Sequence, residues 1–286
     1  MKKILITGAN SYIGTSFEKY MAAHYPEDYA IDTVDMIDGT WRDKDFSKYD
    51  CVFHVAGIAH QKETKENSPL YYKVNRDLAI ETAQKAKNEG VKQFIFLSSM
   101  SVYGMDTGVI TRETAPNPKS NYGKSKLQAE EGINALASND FKVCVVRPPM
   151  VYGKGCKGNF QTVVKLVKRF PVFPRIKNER SMIYIDNLSS FVKMCVDQEL
   201  GEVYCPQNSE YVCTTDMAKI IATKLGKKLR TSLLLGVGVA VLRPVVSIAK
   251  KGFGSLVYEN TEEFDFKYNV MNFENSMVSS IDDVTN

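Results

Sequence analysis

Apolar positions along the first half of the chain fall into short runs separated by stretches with helical spacing. Ile4-Leu5-Ile6 is followed by a glycine-bearing turn and a helical stretch from Ile13 to His24. Ile31 to Val34 and Cys51 to Val55 read as the next strands, and Leu70 to Glu89 carries helical periodicity that Gly90 stops. Gln93 to Leu97 is a strand, Tyr122 to Leu136 a helix and Val143 to Val146 a strand. Strands alternating with helices of this length predict an α/β fold, a Rossmann-type doubly wound parallel sheet covered on both faces.

After Arg147-Pro148-Pro149 the alternation weakens. Short helices over Phe160 to Arg169, Asn187 to Val196 and Thr215 to Leu225 are separated by polar and proline-bearing connections. This predicts a Rossmann domain over 1–150, to which the chain crosses back at about 181–200. A smaller mixed α/β region over 151–286 would sit at the carboxyl edge of the sheet, where ligands of open α/β sheets bind. The tail after Asn260 is polar and weakly patterned.

Composition changes this picture little. The net charge of +4 and the scattered Lys and Arg give no footprint for nucleic acid. The six cysteines form no C-x-x-C pair and no metal-ligand spacing, so free core thiols are expected and no metal. Reduced thiols, and a start that runs directly into a strand, favour the cytoplasm. The longest apolar stretch, Leu233 to Ile248, is broken by Arg243 and Pro244. It falls short of the roughly 20 residues a membrane span needs, so no stable insertion is expected. A helix packed on the core or in an interface is the reading, with peripheral membrane contact a lesser one.

Candidate chemistry begins at Thr7-Gly8-Ala9-Asn10-Ser11-Tyr12-Ile13-Gly14, which follows the first strand and opens the first helix. Gly8 permits a tight turn, Gly14 a close helix–sheet approach, and the helix N-terminus offers N–H groups to a pyrophosphate. Ser11 stands where a further glycine is expected. A plain strand–helix connection would leave the same trace. Asp35, at the end of the second strand about 20 residues beyond the motif, is placed to accept hydrogen bonds from an adenosine ribose. A carboxylate there disfavours a 2′-phosphate, and no arginine stands at Met36, Ile37 or Asp38; NAD is the expected cofactor rather than NADP. The alternative for Asp35 is a turn residue before Gly39.

Tyr122 and Lys126, in Asn121-Tyr122-Gly123-Lys124-Ser125-Lys126, lie four residues apart and share a helix face. A phenol, with a pKa of roughly 10, is a poor base at neutral pH unless a neighbouring cation favours its ionised form. Lys126 supplies that charge and can also hydrogen-bond the nicotinamide ribose. Ser99, in Ser98-Ser99-Met100-Ser101-Val102-Tyr103-Gly104, ends a strand aimed at the same cleft. Its hydroxyl could hold the substrate oxygen whose proton Tyr122 removes.

With these pieces in this order the chain resembles the extended short-chain dehydrogenases/reductases, specifically the NAD-dependent sugar-nucleotide epimerases and dehydratases of the UDP-glucose 4-epimerase type. The resemblance covers roughly residues 1 to 200. It rests on Thr7 to Gly14, His54-Val55-Ala56-Gly57, Asn75 in Lys73-Val74-Asn75, Ser98-Ser99, Tyr122 with Lys126, Arg147-Pro148-Pro149-Met150-Val151-Tyr152-Gly153 and Arg180-Ser181-Met182-Ile183-Tyr184-Ile185-Asp186. The resemblance implies that Ser99, Tyr122 and Lys126 are catalytic. It implies that Gly8, Asn10, Ser11, Tyr12, Ile13, Gly14, Asp35, Ala56, Gly57, Pro148, Tyr122 and Lys126 line the cofactor, with Asn75 among them supporting the active-site helix. It further implies that Ser99, Ser101, Tyr122, Asn159 and Arg180 meet a UDP-sugar, and that the enzyme is a homodimer. An ion pair with Glu179 or Asp186 is the alternative for Arg180, a helix N-cap before Phe160 that for Asn159. Trp41, near the expected adenine pocket, either stacks there or fills core. The C-terminal region resembles a subgroup found with polysaccharide-building enzymes.

Dehydratases of this family carry an Asp-Glu pair directly after the catalytic serine or threonine. Here Met100 and Ser101 stand there, and neither can eliminate water. C4 epimerisation of a UDP-hexose or UDP-N-acetylhexosamine is the expected reaction. A UDP-sugar dehydrogenase or keto-sugar reductase is the alternative, and a non-catalytic nucleotide-sensing protein is the alternative of another class.

Overall fold

The computed structural model describes residues 1–59, 61, 63–242, 253–260, 264 and 266–281. The chain forms two compact units, one of Met1–Gly104, Ala115–Pro149 and Leu188–Pro206, the other of Met105–Thr114, Met150–Asn187 and Gln207–Asn286.

The first unit is built on β1 (Lys2–Thr7), α1 (Tyr12–His24), β2 (Tyr29–Val34) and β3 (Cys51–His54). A long helix follows, α2 (Ser68–Tyr71) running through a π-helical stretch (Tyr72–Asp77) into α3 (Leu78–Asn88). β4 (Gln93–Leu97) then leads into a 3-10 turn (Met100–Tyr103). The sheet order is β10-β6-β4-β3-β1-β2, every pairing parallel. Its remaining strands are β6 (Lys142–Val146) and β10 (Glu202–Tyr204).

Because side chains alternate across a strand, the two faces fill differently. Val52, Phe94, Phe96, Val143 and Val145 join Ala79 and Ala83 of α3 and Ala129 and Ile133 of α4 (Asn121–Asn134) in one buried cluster. On the opposite face Phe53 meets Phe17 of α1 edge-on at 5.3 Å. There buried Cys144 lies close to Cys195 of α6 (Ile185–Asp197). Helices therefore cover both faces, the doubly wound arrangement expected from the alternation. All six cysteines are free.

The second unit holds β5 (Gly108–Ile110), β7 (Met150–Tyr152), α5 (Asn159–Arg169), β8 (Val172–Pro174) and β9 (Met182–Tyr184). It continues with α7 (Thr214–Lys224), β11 (Arg230–Ser232), α8 (Leu233–Leu242), β12 (Leu256–Tyr258) and a short helix, Phe273–Ser279. Its strands pair two by two, β11 with β8, β12 with β5 and β7 with β9. Buried amides tie segments of this unit together. Asn208 accepts from the Tyr184 N–H at 3.0 Å and donates to the Tyr152 hydroxyl at 2.9 Å. Asn178 donates to Thr214 Oγ1 at 2.9 Å and accepts that residue's N–H at 2.9 Å.

The structure decides or refines three of these readings. Trp41 does not stack in a pocket: it is buried beside Phe46 in the core cluster, because the chain after β2 folds its apolar residues back against α3. The weakly patterned tail contains the helix Phe273–Ser279, started by Asn272, whose side chain accepts the Asn275 N–H at 3.0 Å. The apolar stretch from Leu233 is helical to Leu242 but not packed into a core, since Leu233, Leu234, Val237 and Val241 are exposed. Residues 243–248 of that stretch, with Arg243 and Pro244, lie outside the described residues.

Candidate active site

The turn after β1 and the loop after β3 meet where the strand order reverses, the position at which open α/β sheets bind ligands. Gly8 has a φ of 115°, and a Cβ on it would come within 2.7 Å of the Ala56 nitrogen. Any side chain there would part the two loops. Asn10 takes the left-handed conformation, at φ 63°, that Asn tolerates better than most residues. Ser11 is the N-cap of α1, its side chain accepting the Gly14 N–H at 3.2 Å. The serine that replaces a glycine thus satisfies one of the orphan donors of the helix start.

Asp35 follows β2. One carboxylate oxygen accepts the Ile37 N–H at 2.7 Å, which fixes the side chain as in an Asx turn. The turn reading is therefore observed, and it leaves the second oxygen available. Arg42, the first arginine beyond, is engaged with Glu81 through two hydrogen bonds and stacks on Trp41.

Asn75 lies fully buried in the π-helical stretch. Its side chain accepts the Ile58 N–H at 2.7 Å, donates to the Ile58 carbonyl at 3.1 Å and reaches Ser125 of α4 at 3.2 Å. It ties the loop carrying Ala56 and Gly57 to the helix carrying Tyr122 and Lys126. A Cβ on Gly57 would stand 3.3 Å from Lys126 Nζ.

α4 starts close against the 3-10 turn, and Gly123 permits it: a Cβ there would fall 2.6 Å from the Ser101 carbonyl oxygen. That approach brings Tyr122 near Ser99: burial raises the phenol pKa, and the Ser99 hydroxyl acts less strongly in the opposite sense. Ser99 also caps the 3-10 turn, accepting the Ser101 N–H at 3.1 Å. Lys126, one helical turn on, is buried, donates to the Leu97 carbonyl at 2.8 Å and sits 4.6 Å over the Phe96 ring. Burial lowers its pKa to about 8, with Glu130 acting in the opposite sense. Buried Pro148 accepts the Met100 N–H at 3.0 Å and so holds the segment after Ser99. Ser101 is exposed.

Sequence reasoning missed two carboxylates. Glu63 accepts the Asn121 and Tyr122 N–H groups, both at 3.0 Å, an anion on the positive end of the tyrosine helix. Glu130 lies one turn beyond Lys126 and is buried with Arg147, whose Nε reaches both its oxygens at 3.1 Å. Ser98 also donates to Glu130, and Arg147 Nη1 donates to the Tyr103 hydroxyl at 2.9 Å. The regular spacing of Tyr122, Lys126 and Glu130 was the signal available for it. His54 is buried between Phe94 and Phe96, its pKa pushed down to about 3 by burial, and it hydrogen-bonds Thr7 as a neutral ring.

Residues 4–204 match the model of the NAD dependent epimerase/dehydratase family. The chain belongs to that family. Among similar proteins, this epimerase/dehydratase is 30% identical to a UDP-glucose 4-epimerase from Vibrio cholerae over 251 residues, 79% of this chain and 76% of that one. Its fold superposes on a UDP-glucuronic acid 4-epimerase from Bacillus cereus, solved in complex with NAD, with a TM-score of 0.75 at 18% identity, covering 97% and 94% of the two chains. It also superposes on a dTDP-4-dehydrorhamnose reductase from Clostridium acetobutylicum, with a TM-score of 0.74 at 20% identity, covering 97% and 98%. The cofactor expected from the glycine turn and Asp35 is the one the family description names.

The remaining predicted residues of the epimerase/dehydratase lie in its second unit. Asn159 is exposed as the first residue of α5, and Gly158, at φ 98°, takes the N-cap position that the alternative reading gave to Asn159. Arg180 pairs through its backbone with Val212, and its Nη1 donates to the Gly254 carbonyl at 2.9 Å. Its buried Nε has no hydrogen-bond partner among the described residues, and no ion pair to Glu179 or Asp186 forms there. Burial lowers the pKa of its guanidinium.

Proposed function

We propose that this chain catalyses C4 epimerisation of a UDP-hexose or UDP-N-acetylhexosamine, with NAD held through the cycle, as a step in surface polysaccharide synthesis. The observation that carries the reading is the grouping of Ser99, Tyr122 and Lys126 beside a turn in which Met100 and Ser101 replace the acid pair a dehydratase needs. The similarity to a UDP-glucose 4-epimerase supports the same reaction.

The loops at the switch point fit a dinucleotide, since side-chain-free Gly8 lets the two loops close on each other beneath the start of α1. Tyr12, Ile13 and Gly14 would face its pyrophosphate, the free oxygen of Asp35 its adenosine ribose, and Lys126 its nicotinamide ribose. NAD supplies the hydride acceptor and donor. Ser99 holds the sugar hydroxyl, and Tyr122 takes its proton and later returns it. Lys126 in its charged form lowers the cost of the Tyr122 phenolate. Arg180, with a buried donor lacking a partner, would take up a phosphate oxygen of the UDP.

NMR of the purified protein with UDP-glucose, UDP-galactose and their N-acetylated counterparts, with no cofactor added, tests this. A C4 epimer from any of them is the expected result. Turnover that starts only when free NAD or a reductant is supplied would instead make the protein a dehydrogenase or keto-sugar reductase.

A further inference from the structure

We propose that α8 and the basic stretch around it dock this protein peripherally on an anionic phospholipid bilayer. α8, Leu233–Leu242, contains no polar side chain. An amphipathic helix hides an apolar face against its own protein, yet here Leu234 is 86% exposed, Val241 70%, Leu233 63% and Val237 60%. One edge is anchored. A Cβ on Gly236 would fall 2.2 Å from the Arg175 carbonyl, and Ser232, immediately before the helix, accepts the Arg175 N–H at 3.0 Å. The rest of the helix presents apolar surface to solvent. Monomeric soluble proteins rarely leave such contiguous patches without a binding role.

Charge selects the occupant. From Met217 to Tyr258 the sequence has no Asp or Glu and eight Lys or Arg. With a net charge of +4 for the whole chain, the other residues sum to −4 (4 − 8). Lys227, Lys228 and Arg230 are exposed just before α8, and Arg175 and Lys177 are exposed beside its anchor. A second copy of the chain would bring basic surface against basic surface. Lipid phosphates complement both the cations and the apolar helix.

Ten helical residues extend about 15 Å, half of a hydrocarbon core of about 30 Å. No described helix is long and apolar enough to cross a membrane. The geometry is that of a helix lying in the headgroup boundary, where apolar area and basic residues act together.

The test is sedimentation of the full chain with vesicles of phosphatidylcholine alone or enriched in phosphatidylglycerol. Binding to the anionic vesicles, weak binding to the neutral ones and release by salt are expected. Lys227→Gln and Lys228→Gln should each weaken binding by about fivefold. The double variant Leu234→Gln, Val241→Gln should abolish it with an unchanged thermal unfolding midpoint, which separates lost docking from lost folding. Wild-type protein that stays in the supernatant with anionic vesicles overturns the proposal. So does a wild-type dimer that Val237→Gln converts to monomer, because the patch would then be a self-interface.

Discussion

The two units solve the same problem, satisfying buried backbone, by different means. In the first, a six-stranded parallel sheet pairs its own N–H and C=O groups in continuous ladders, and a broad apolar cluster packs against it, with buried polar groups such as Asn75 and the Glu130–Arg147 pair beside the candidate site. In the second, the strands are three residues long and pair two by two, so the ladders end as soon as they begin. Buried side-chain amides do more of this work there: Asn178, Asn187, Gln207 and Asn208 link segments far apart in sequence. A regular sheet gives a rigid platform for chemistry. Short sheets clipped by amides let loop lengths change without rebuilding a core, which suits the substrate-binding role proposed for this unit.

That contrast can be broken by measurement. Tyr122→Phe, in the sheet unit, should lower kcat by about 10³-fold or more, the range lost with a general acid–base group, with KM nearly unchanged. Glu130→Gln should destabilise the first unit by about 3–5 kcal/mol in urea unfolding, because it strands the buried Arg147 charge. Asn208→Ala removes neutral hydrogen bonds from the Tyr184 N–H and Tyr152, and should cost about 1–3 kcal/mol. Equal costs for these two would mean that the amide clips are as indispensable as the buried ion pair. Arg180→Met should raise KM for the UDP-sugar by about tenfold, as expected for a lost charged hydrogen bond, with little change in kcat; a fall in kcat instead would place chemistry in the second unit. The smallest effect is on pH. Lys126, with a pKa lowered to about 8 by burial, loses its charge as pH rises through that value. The support proposed for the Tyr122 phenolate would be present below pH 8 and lost above it, so kcat/KM should decline on the alkaline side. Lys126→Arg keeps its charge at these pH values and should carry that decline to higher pH.

The same difference explains what could be read in advance. The first unit's strands and helices are long enough for periodicity to register, and the predicted elements from Ile4 to Val146 agree with the observed ones to within a few residues. The helices α5, α6 and α7 were legible for the same reason. Three-residue strands such as β5, β8 and β12 carry no period, because their pairing is decided by what surrounds them. Within the candidate site, the glycine turn and the Tyr122–Lys126 spacing were legible because each is local. Glu63 was not: its carboxylate meets residues 58 and 59 positions later, a distance no spacing rule spans. Trp41 was ambiguous because an indole suits a stacking surface and a core equally, and only the fold of the chain back toward α3 decides between them.

The π-helical stretch Tyr72–Asp77 makes the long helix, in effect, two helices joined out of phase. An α-helix turns by about 100° per residue, and a π turn accommodates one residue more than an α turn does. Downstream, Ala79, Thr82, Ala83 and Ala86 form the buried face, while within the stretch Asn75 turns inward to the loop after β3. The extra residue is therefore a phase shift written into chain length. Deleting any one residue between Tyr72 and Asp77 would restore uniform winding, and the helix would then have to misdirect either its alanine face or its asparagine. Apart from Asn75, whose buried hydrogen bonds tie the loop after β3 to α4, substitutions here can be absorbed by side chains, whereas a change of length by one cannot, so the rest of the segment should tolerate drift in sequence while resisting insertion and deletion.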